Sequence, residues 1–96
     1  MARDLSVVIP VHNEAPNIDQ LYRELHQVLS STGHDYELVF VDDGSNDTTL
    51  DQLKKLRATD PRITIIRFRR NFGPTAAFAA GFAYASAAVR SGERPV

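Results

Sequence analysis

Short apolar runs alternate along the chain with segments whose apolar residues recur at helical spacing. Residues 5–9 form a β-branched apolar run that ends at Pro10, a pattern typical of a strand buried on both faces. The pattern then changes period, and Gly33 marks the end of a predicted first helix. The apolar stripe of that helix comprises Ile18, Leu21, Tyr22, Leu25, Val28 and Leu29.

The same alternation occurs twice more. Residues 36–41 predict a second strand, and a helix with Leu50, Leu53 and Leu56 follows, capped by Asp47 or Ser45. Residues 63–68 predict a third strand, whose polar interruptions favour a position near a sheet edge. A third helix begins at Gly73-Pro74 and is apolar nearly all round to Val89, which predicts burial on more than one side. Residues 91–95 predict a turn, and Val96 the start of a fourth strand.

This βαβαβα order predicts an α/β fold with a parallel sheet and right-handed crossovers. Ligands of such sheets bind beyond the carboxyl ends of the strands. Polar groups follow all three predicted strands, which predicts a binding crevice at that edge. They are His12, Asn13 and Glu14; Asp42, Asp43 and Ser45; and Arg67, Arg69, Arg70 and Asn71.

Composition narrows the function classes. The 96 residues suffice for one small domain, with 43% hydrophobic residues, 24% charged residues and a net charge of −1. This balance lacks the basic surface that nucleic-acid binding requires, so no nucleic-acid partner is expected. Cysteine is absent, which excludes disulfides and thiolate zinc sites. Neither a signal peptide nor a membrane span is predicted, and we expect a cytoplasmic location.

Asp42 and Asp43 are adjacent at the end of the second strand, so their side chains should point to opposite faces. Such a pair is less suited to binding one metal ion than a D-x-D pair, whose two side chains share a face of the strand. One carboxylate is expected to accept hydrogen bonds from a base or ribose, and the other to orient the turn or cap the next helix. The alternative is a simple Asx-turn before a helix. The spacing of a calcium-binding loop is absent.

Residues on the neighbouring strand and loop suit a nucleoside. Pro10 ends the ladder and can present a flat surface to a base, and Glu14 can accept a ligand hydrogen bond. The alternative for Glu14 is compensation of the helix dipole. His12 can stack or hydrogen-bond, although a lone loop histidine is more often solvated.

Arg69, Arg70 and Asn71 follow the third strand, where a guanidinium would balance the charge of a diphosphate. The helix from Gly73 can add backbone N–H groups, although Pro74 removes one. An ordinary charged sheet edge is the alternative. Dinucleotide, P-loop and G-x-S-x-G motifs are absent.

Three segments together, in this order and each at a predicted strand end, resemble family 2 glycosyltransferases of the GT-A fold. The third resembles the branch of dolichol-phosphate mannosyltransferases and bacterial polyprenyl-phosphate glycosyltransferases. The segments are Val8-Ile9-Pro10-Val11-His12-Asn13-Glu14, Val41-Asp42-Asp43-Gly44-Ser45 and Arg70-Asn71-Phe72-Gly73.

The resemblance implies a Rossmann-like, three-layer nucleotide-binding half and inverting transfer from a UDP- or GDP-sugar with Mg²⁺ or Mn²⁺, to an acceptor such as a polyprenyl phosphate. Pro10 and Glu14 would line the nucleoside pocket, Asp43 with Asp42 would contact the base or ribose, and Arg70 and Asn71 would form the far wall. The full nucleotide-sugar-binding set is Pro10, Val11, Asn13, Glu14, Asp42, Asp43, Ser45, Arg70 and Asn71.

The chain also departs from the family pattern. His12 stands where the family often has an aromatic residue, and Pro74 where this branch often has a polar or basic one. The resemblance places the metal-binding D-x-D just after Val96 and the catalytic base further on. Residues 1–96 are therefore expected to be a truncated N-terminal portion with sheet order 3-2-1, strand 4 missing, no metal ligands, no catalytic residues and no transfer activity alone. Any membrane segment would lie outside them, with the full enzyme at the cytoplasmic face.

Loss of a fourth strand would leave the first strand as an apolar edge and uncover helix 74–89. Such surfaces recruit another chain, so self-association through them is expected. A non-catalytic nucleotide-binding or oligomerisation module is the alternative function. A receiver-type signalling domain fits less well, because the third strand lacks a phosphoacceptor aspartate.

Overall fold

The computed structural model describes residues 4–90, and the side chains of residues 4–86. Strands and helices alternate throughout this range, and a short 3-10 turn at Ala15–Asn17 precedes the first helix. The predicted turn at 91–95 and the fourth strand at Val96 lie outside the described residues. The elements are β1 (Leu5–Val11), α1 (Ile18–Ser30), β2 (Tyr36–Asp42), α2 (Thr49–Thr59), β3 (Ile63–Arg67) and α3 (Pro74–Arg90).

The three described strands form one parallel sheet in the order β1-β2-β3. Val7 pairs with Leu38 on one side of β2, and Ile63 pairs with Leu38 on the other. Every residue of β2 is buried, whereas β1 is half-buried over most of its length and β3 over its middle. The predicted α/β fold, strand order and position of the third strand at a sheet edge are therefore confirmed for these residues.

Helices cover both faces of the sheet, which gives the predicted three layers. Because side chains alternate along a strand, β2 presents Leu38 and Phe40 to one face and Val39 and Val41 to the other. The first pair packs in a cluster with residues of α1 and α2, and the second pair packs against Ala77 of α3. The larger cluster contains Ile18, Leu21, Leu25, Leu53 and Leu56.

The backbone of α3 approaches β1 closely at Gly81. A Cβ atom added there would lie 2.3 Å from Cγ1 of Val8, a distance at which two carbon atoms clash. Glycine inside a helix normally costs about 1 kcal/mol relative to alanine. Here it allows the helix to rest directly on the sheet.

The outer face of α3 remains exposed, in contrast to the expected burial on more than one side. Ala77 is fully buried against the sheet, whereas Phe78 is 40% exposed and Phe82 is 57% exposed. The two rings stack with centroids 5.9 Å apart. Self-association through this face and β1 stays a prediction, which sedimentation at high protein concentration would test. No described helix is long and apolar enough to cross a membrane.

A polar cluster joins α1 to the turn between α2 and β3. The Tyr22 hydroxyl donates to Asp60 Oδ2 at 2.6 Å, and Arg62 Nε donates to Asp60 Oδ1 at 3.0 Å. Burial, followed by the hydrogen bond to Asp60, raises the pKa of Tyr22 to about 12. Burial would raise the pKa of Asp60, but hydrogen bonds from Arg62 and Tyr22 together hold it below its usual value. Ionised Asp60 is thus favoured in the folded state.

Gly81→Ala should destabilise the fold, because the added methyl group would overlap Val8. Overpacking of this kind costs about 1–3 kcal/mol, which exceeds the gain in helix propensity. Urea denaturation would measure the change. Val8→Ala should destabilise the Gly81→Ala variant less than it destabilises the wild type, because the smaller side chain relieves the overlap. Equal changes in the free energy of unfolding in the two backgrounds would contradict the packing explanation.

Asp60→Asn should destabilise the protein by about 1–3 kcal/mol at pH 7, since it weakens hydrogen bonds to a buried carboxylate. The pKa of Asp60 is lowered by folding, so its contribution is present above the unfolded pKa of about 4 and is lost as pH falls through the folded pKa. The difference between variant and wild type should therefore shrink in acid. Urea denaturation at pH 7 and below pH 4 would test this, and a pH-independent difference would contradict it.

Candidate functional site

A cleft of about 410 Å³ lies at the carboxyl edge of the sheet, where the sequence predicted a ligand site. The end of β1, the loops after β1 and β2, and the start of α3 all contribute to it. Apolar walls and carboxylates occur together in its lining. The lining residues are Pro10, Val11, His12, Glu14, Leu21, Asp43, Asn71, Gly73 and Pro74.

The loops after β1 and β2 are tied together through Asn13. Its backbone N–H donates to Ser45 Oγ at 2.9 Å, and its side-chain Oδ1 accepts from the N–H of Asn46 at 2.7 Å. Asn13 has a φ of +50°, in the left-handed region that asparagine tolerates better than most residues. Neither Asn13 nor Ser45 lines the cleft. Both were predicted to bind the ligand, and in the structure they hold two loops in place.

Two further bonds position Glu14 at the cleft. Its N–H donates to Thr49 Oγ1 at 3.0 Å, and the N–H of Ala15 donates to Asp47 Oδ2 at 3.3 Å. Asp47 Oδ1 also accepts from the N–H of Thr49, the first residue of α2, although the N-cap position belongs to Thr48 and not to the predicted Asp47 or Ser45. The side-chain hydrogen bond from Thr49 is the main cause that lowers the pKa of Asp47. Glu14 lines the cleft, and its carboxylate accepts from Asn17 Nδ2 at 3.0 Å.

The two adjacent aspartates are both buried and have different partners. Asp42 is 1% exposed, and its Oδ1 accepts from the N–H of Ser45, three residues further on, at 3.1 Å. Asp42 does not line the cleft, whereas Asp43 does. Asp42 thus shapes the turn after β2, Asp43 lines the cleft, and the predicted contact of Asp43 with a base or ribose stays a prediction.

Asp43 accepts hydrogen bonds from the segment between β3 and α3. Its Oδ1 accepts from the N–H of Phe72 at 2.7 Å. Its Oδ2 accepts from the N–H of Gly73 at 2.9 Å and from Asn71 Nδ2 at 3.2 Å. Gly73, where the sequence suggested that helix N–H groups could meet a diphosphate, therefore donates its N–H to the protein's own carboxylate.

His12 has a defined tautomer in this arrangement. Its Nδ1 lies 2.7 Å from the carbonyl oxygen of Asp43, and a carbonyl can only accept, so Nδ1 carries the proton. In the neutral ring, Nε2 is then an acceptor, and Asn13 Nδ2 lies 3.3 Å from it. His12 lines the cleft, and this hydrogen bond fixes the ring in a way that the sequence did not show.

Arg70 does not line the cleft, contrary to its predicted place in the far wall, whereas Asn71 does. The Arg70 side chain is exposed, and its guanidinium lies over the ring of Phe72, 4.8 Å from its centroid. Leu21, Gly73 and Pro74 also line the cleft, although the sequence assigned Leu21 to the helix stripe and the other two to the start of a helix. For Leu21, its place in the helical apolar stripe concealed this second role.

The described residues do not fit a divalent metal. No group of three or more histidine, cysteine or acidic side chains among them is arranged to hold one. Asp42 and Asp43 accept hydrogen bonds from backbone N–H groups, so their carboxylates do not form a shared metal clamp. No step through a metal can be assigned to these side chains.

Residues 6–89 match the sequence model of the family described as "Glycosyl transferase family 2". The chain belongs to glycosyl transferase family 2. The match covers β1 to α3 and therefore includes every element that forms the cleft. Family membership explains why the three strand-end segments occur together.

Several relatives share this region. An uncharacterized glycosyltransferase, YkcC of Bacillus subtilis (strain 168), is 45% identical over 80 residues, which are 83% of this chain and 25% of the relative. Glycosyltransferase sll0501 of Synechocystis sp., also uncharacterized, is 41% identical over 88% of this chain and 27% of the relative. The undecaprenyl-phosphate 4-deoxy-4-formamido-L-arabinose transferase of Salmonella paratyphi B is 36% identical over 88% and 26%. The chain thus spans about a quarter of the length of these relatives.

Proposed function

We propose that this chain forms the nucleoside-binding part of a glycosyltransferase that uses a UDP- or GDP-sugar. The cleft at the carboxyl edge carries this proposal, because it combines apolar walls with hydrogen-bond acceptors. Pro10 and Pro74 offer flat surfaces to a base, and Glu14 offers carboxylate oxygens to base N–H groups or ribose hydroxyls. Family membership supports the same ligand class.

The charge of the cleft favours the nucleoside end of the donor. Glu14 and Asp43 line it, and neither lysine nor arginine does within the described residues. A diphosphate placed among these carboxylates would be repelled. We therefore infer that the phosphates and the sugar extend out of the cleft, toward groups supplied elsewhere in the enzyme.

The proposed reaction is inverting transfer of the sugar to an acceptor, and a polyprenyl phosphate is the favoured acceptor class. The Salmonella relative is named for an undecaprenyl-phosphate substrate and supports this class. We propose that Mg²⁺ or Mn²⁺ ligands and the carboxylate base lie beyond Val96. When bound, the metal would stabilise the leaving nucleoside diphosphate. A phosphate oxygen of the acceptor would attack the anomeric carbon of the sugar as its bond to the diphosphate breaks, and the base would take any proton that this oxygen carries. The 96-residue chain would bind the donor but would not transfer the sugar.

UDP and GDP should bind to the chain without a metal, and one base should be preferred. Glu14→Gln should weaken binding of the preferred nucleotide about tenfold or more, because it removes a charged acceptor from the cleft. Isothermal titration calorimetry with and without Mn²⁺ would measure both effects. Glu24→Gln is the matched control, since Glu24 lies on α1 outside the cleft and its carboxylate accepts from Gln20 on the same helix.

If neither nucleotide binds, the donor-recognition proposal fails and the oligomerisation module becomes the better interpretation. Equal losses of nucleotide affinity in Glu14→Gln and Glu24→Gln would show that Glu14 does not contact the nucleotide. A separate assay tests whether the chain binds the donor without transferring the sugar. The chain should form no product when it is incubated with radiolabelled UDP- or GDP-sugar, polyprenyl phosphate and Mn²⁺. Turnover would show that these residues suffice for catalysis.

A further inference from the structure

The backbone of Glu14 is held at both of its polar groups. Its N–H donates to Thr49 Oγ1 at 3.0 Å, and its carbonyl oxygen accepts from the N–H of Asn17 at 2.8 Å. Pro16 lies within this short turn, and its ring restricts the backbone further. The local turn and a contact with a residue 35 positions away therefore fix Glu14 together.

The hydroxyl of Thr49 has a defined donor and a defined acceptor, and Thr49 is fully buried. Because Oγ1 accepts from the Glu14 N–H, its own proton is donated to Asp47 Oδ1. Asp47 Oδ2 accepts from the N–H of Ala15 at 3.3 Å. Thr49 and Asp47 thus bond two successive backbone amides of the loop after β1, and the hydroxyl links the two bonds.

The carboxylate of Glu14 has one oxygen engaged within the protein. Its Oε2 accepts from Asn17 Nδ2 at 3.0 Å, and no described residue donates to its Oε1. Glu14 therefore offers Oε1 to a ligand in the cleft that it lines. A ligand-contacting group has to be held within about 0.5 Å of its productive position, so a shift of the Glu14 backbone would misplace this acceptor.

We propose that Thr49 is a positioning residue for nucleotide binding: its hydroxyl, oriented by Asp47, fixes the backbone of Glu14 and thereby the place of that carboxylate in the cleft. The assignment rests on the proposed function for its ligand. Thr49 itself does not line the cleft, and neither does any other residue of α2. The start of α2 thus contributes to nucleotide affinity through Glu14.

Thr49→Val removes the hydroxyl and nearly keeps the volume of the side chain. The Kd of the nucleotide that wild type prefers should rise about fivefold or more in calorimetric titration, because the Glu14 amide loses its acceptor. Thr49→Ser keeps the hydroxyl and should bind within about twofold of wild type. Thr48→Val is the matched control and should leave the Kd unchanged, since Thr48 is exposed and its side chain makes no cap hydrogen bond.

A double-mutant cycle separates positioning of Glu14 from a general loss of stability. In the Glu14→Ala background the carboxylate is absent, so Thr49→Val should change the Kd by less than about twofold in NMR titration. An equal loss of affinity in both backgrounds would overturn the proposal. Weak binding by Thr49→Ser would overturn it as well, because that variant retains the hydroxyl.

Amide hydrogen exchange of the ligand-free full chain tests the same contact without a nucleotide. Exchange at Glu14 and Ala15 should accelerate about tenfold or more in Thr49→Val, but not in Thr49→Ser or Thr48→Val, while β2 stays protected. Unchanged exchange at Glu14 would overturn the positioning role. If wild type binds no nucleotide, the proposed function fails, and the exchange measurement alone decides whether Thr49 holds Glu14.

A measurement on the wild type does not depend on the folding of any variant. The Glu14 amide should exchange at least about tenfold more slowly than the same amide in an unfolded chain, because Thr49 Oγ1 accepts its proton. An unprotected Glu14 amide in the wild type would overturn the proposal.

Discussion

Complete burial of β2 is the constraint on which the rest of the structure depends. All seven of its residues are buried between α3 on one face and α1 and α2 on the other. The strand ends in Asp42, and Asp43 follows, so two carboxylates are withdrawn from water at the point where the apolar core stops. Burying a charge is costly unless hydrogen-bond donors surround it. The loops that follow β2 and β3 supply those donors.

The geometry of the cleft is a consequence of satisfying these carboxylates. Asp42 accepts a hydrogen bond from the N–H of Ser45 and so bends the chain after β2. Asp43 accepts hydrogen bonds from two backbone N–H groups of the segment before α3. Ser45 in turn accepts from Asn13, which draws the loop after β1 into the same layer. Three strand ends are therefore joined by hydrogen bonds that cross between loops. The ligand-facing groups are held by this network.

The polar residues at the carboxyl edge have different roles, which follow from the same geometry. Of the side chains gathered at the carboxyl edge, Asn13, Asp42 and Ser45 face the network, and Glu14 and His12 face the cleft. The chain belongs to glycosyl transferase family 2, and its cleft lies at the edge where open α/β sheets bind their ligands. Within the described residues two carboxylates line the cleft and neither lysine nor arginine does, which is the basis for proposing a nucleoside there and not a diphosphate.

The sequence alone determined the order of elements, the parallel sheet, the edge at which the cleft lies and the family. These properties depend on local periodicity and on residue type, which are visible along the chain: β2 reads as an unbroken apolar run, and α1 as a stripe at helical spacing. The sequence also supplied most of the cleft, since Pro10, Val11, Glu14, Asp43 and Asn71 were in the predicted set.

Tertiary structure decided which polar side chain meets which partner. Whether Asp43 bonds a ligand or Gly73 depends on residues 30 positions apart in the chain, and no local pattern encodes that distance. The same holds for Arg70, which lies on Phe72 instead of the cleft wall, and for Gly81, whose missing side chain is explained only by Val8 beneath it. Hydrogen bonds and steric contacts act over a few ångströms in space, so they are fixed only after the sheet has brought distant segments together.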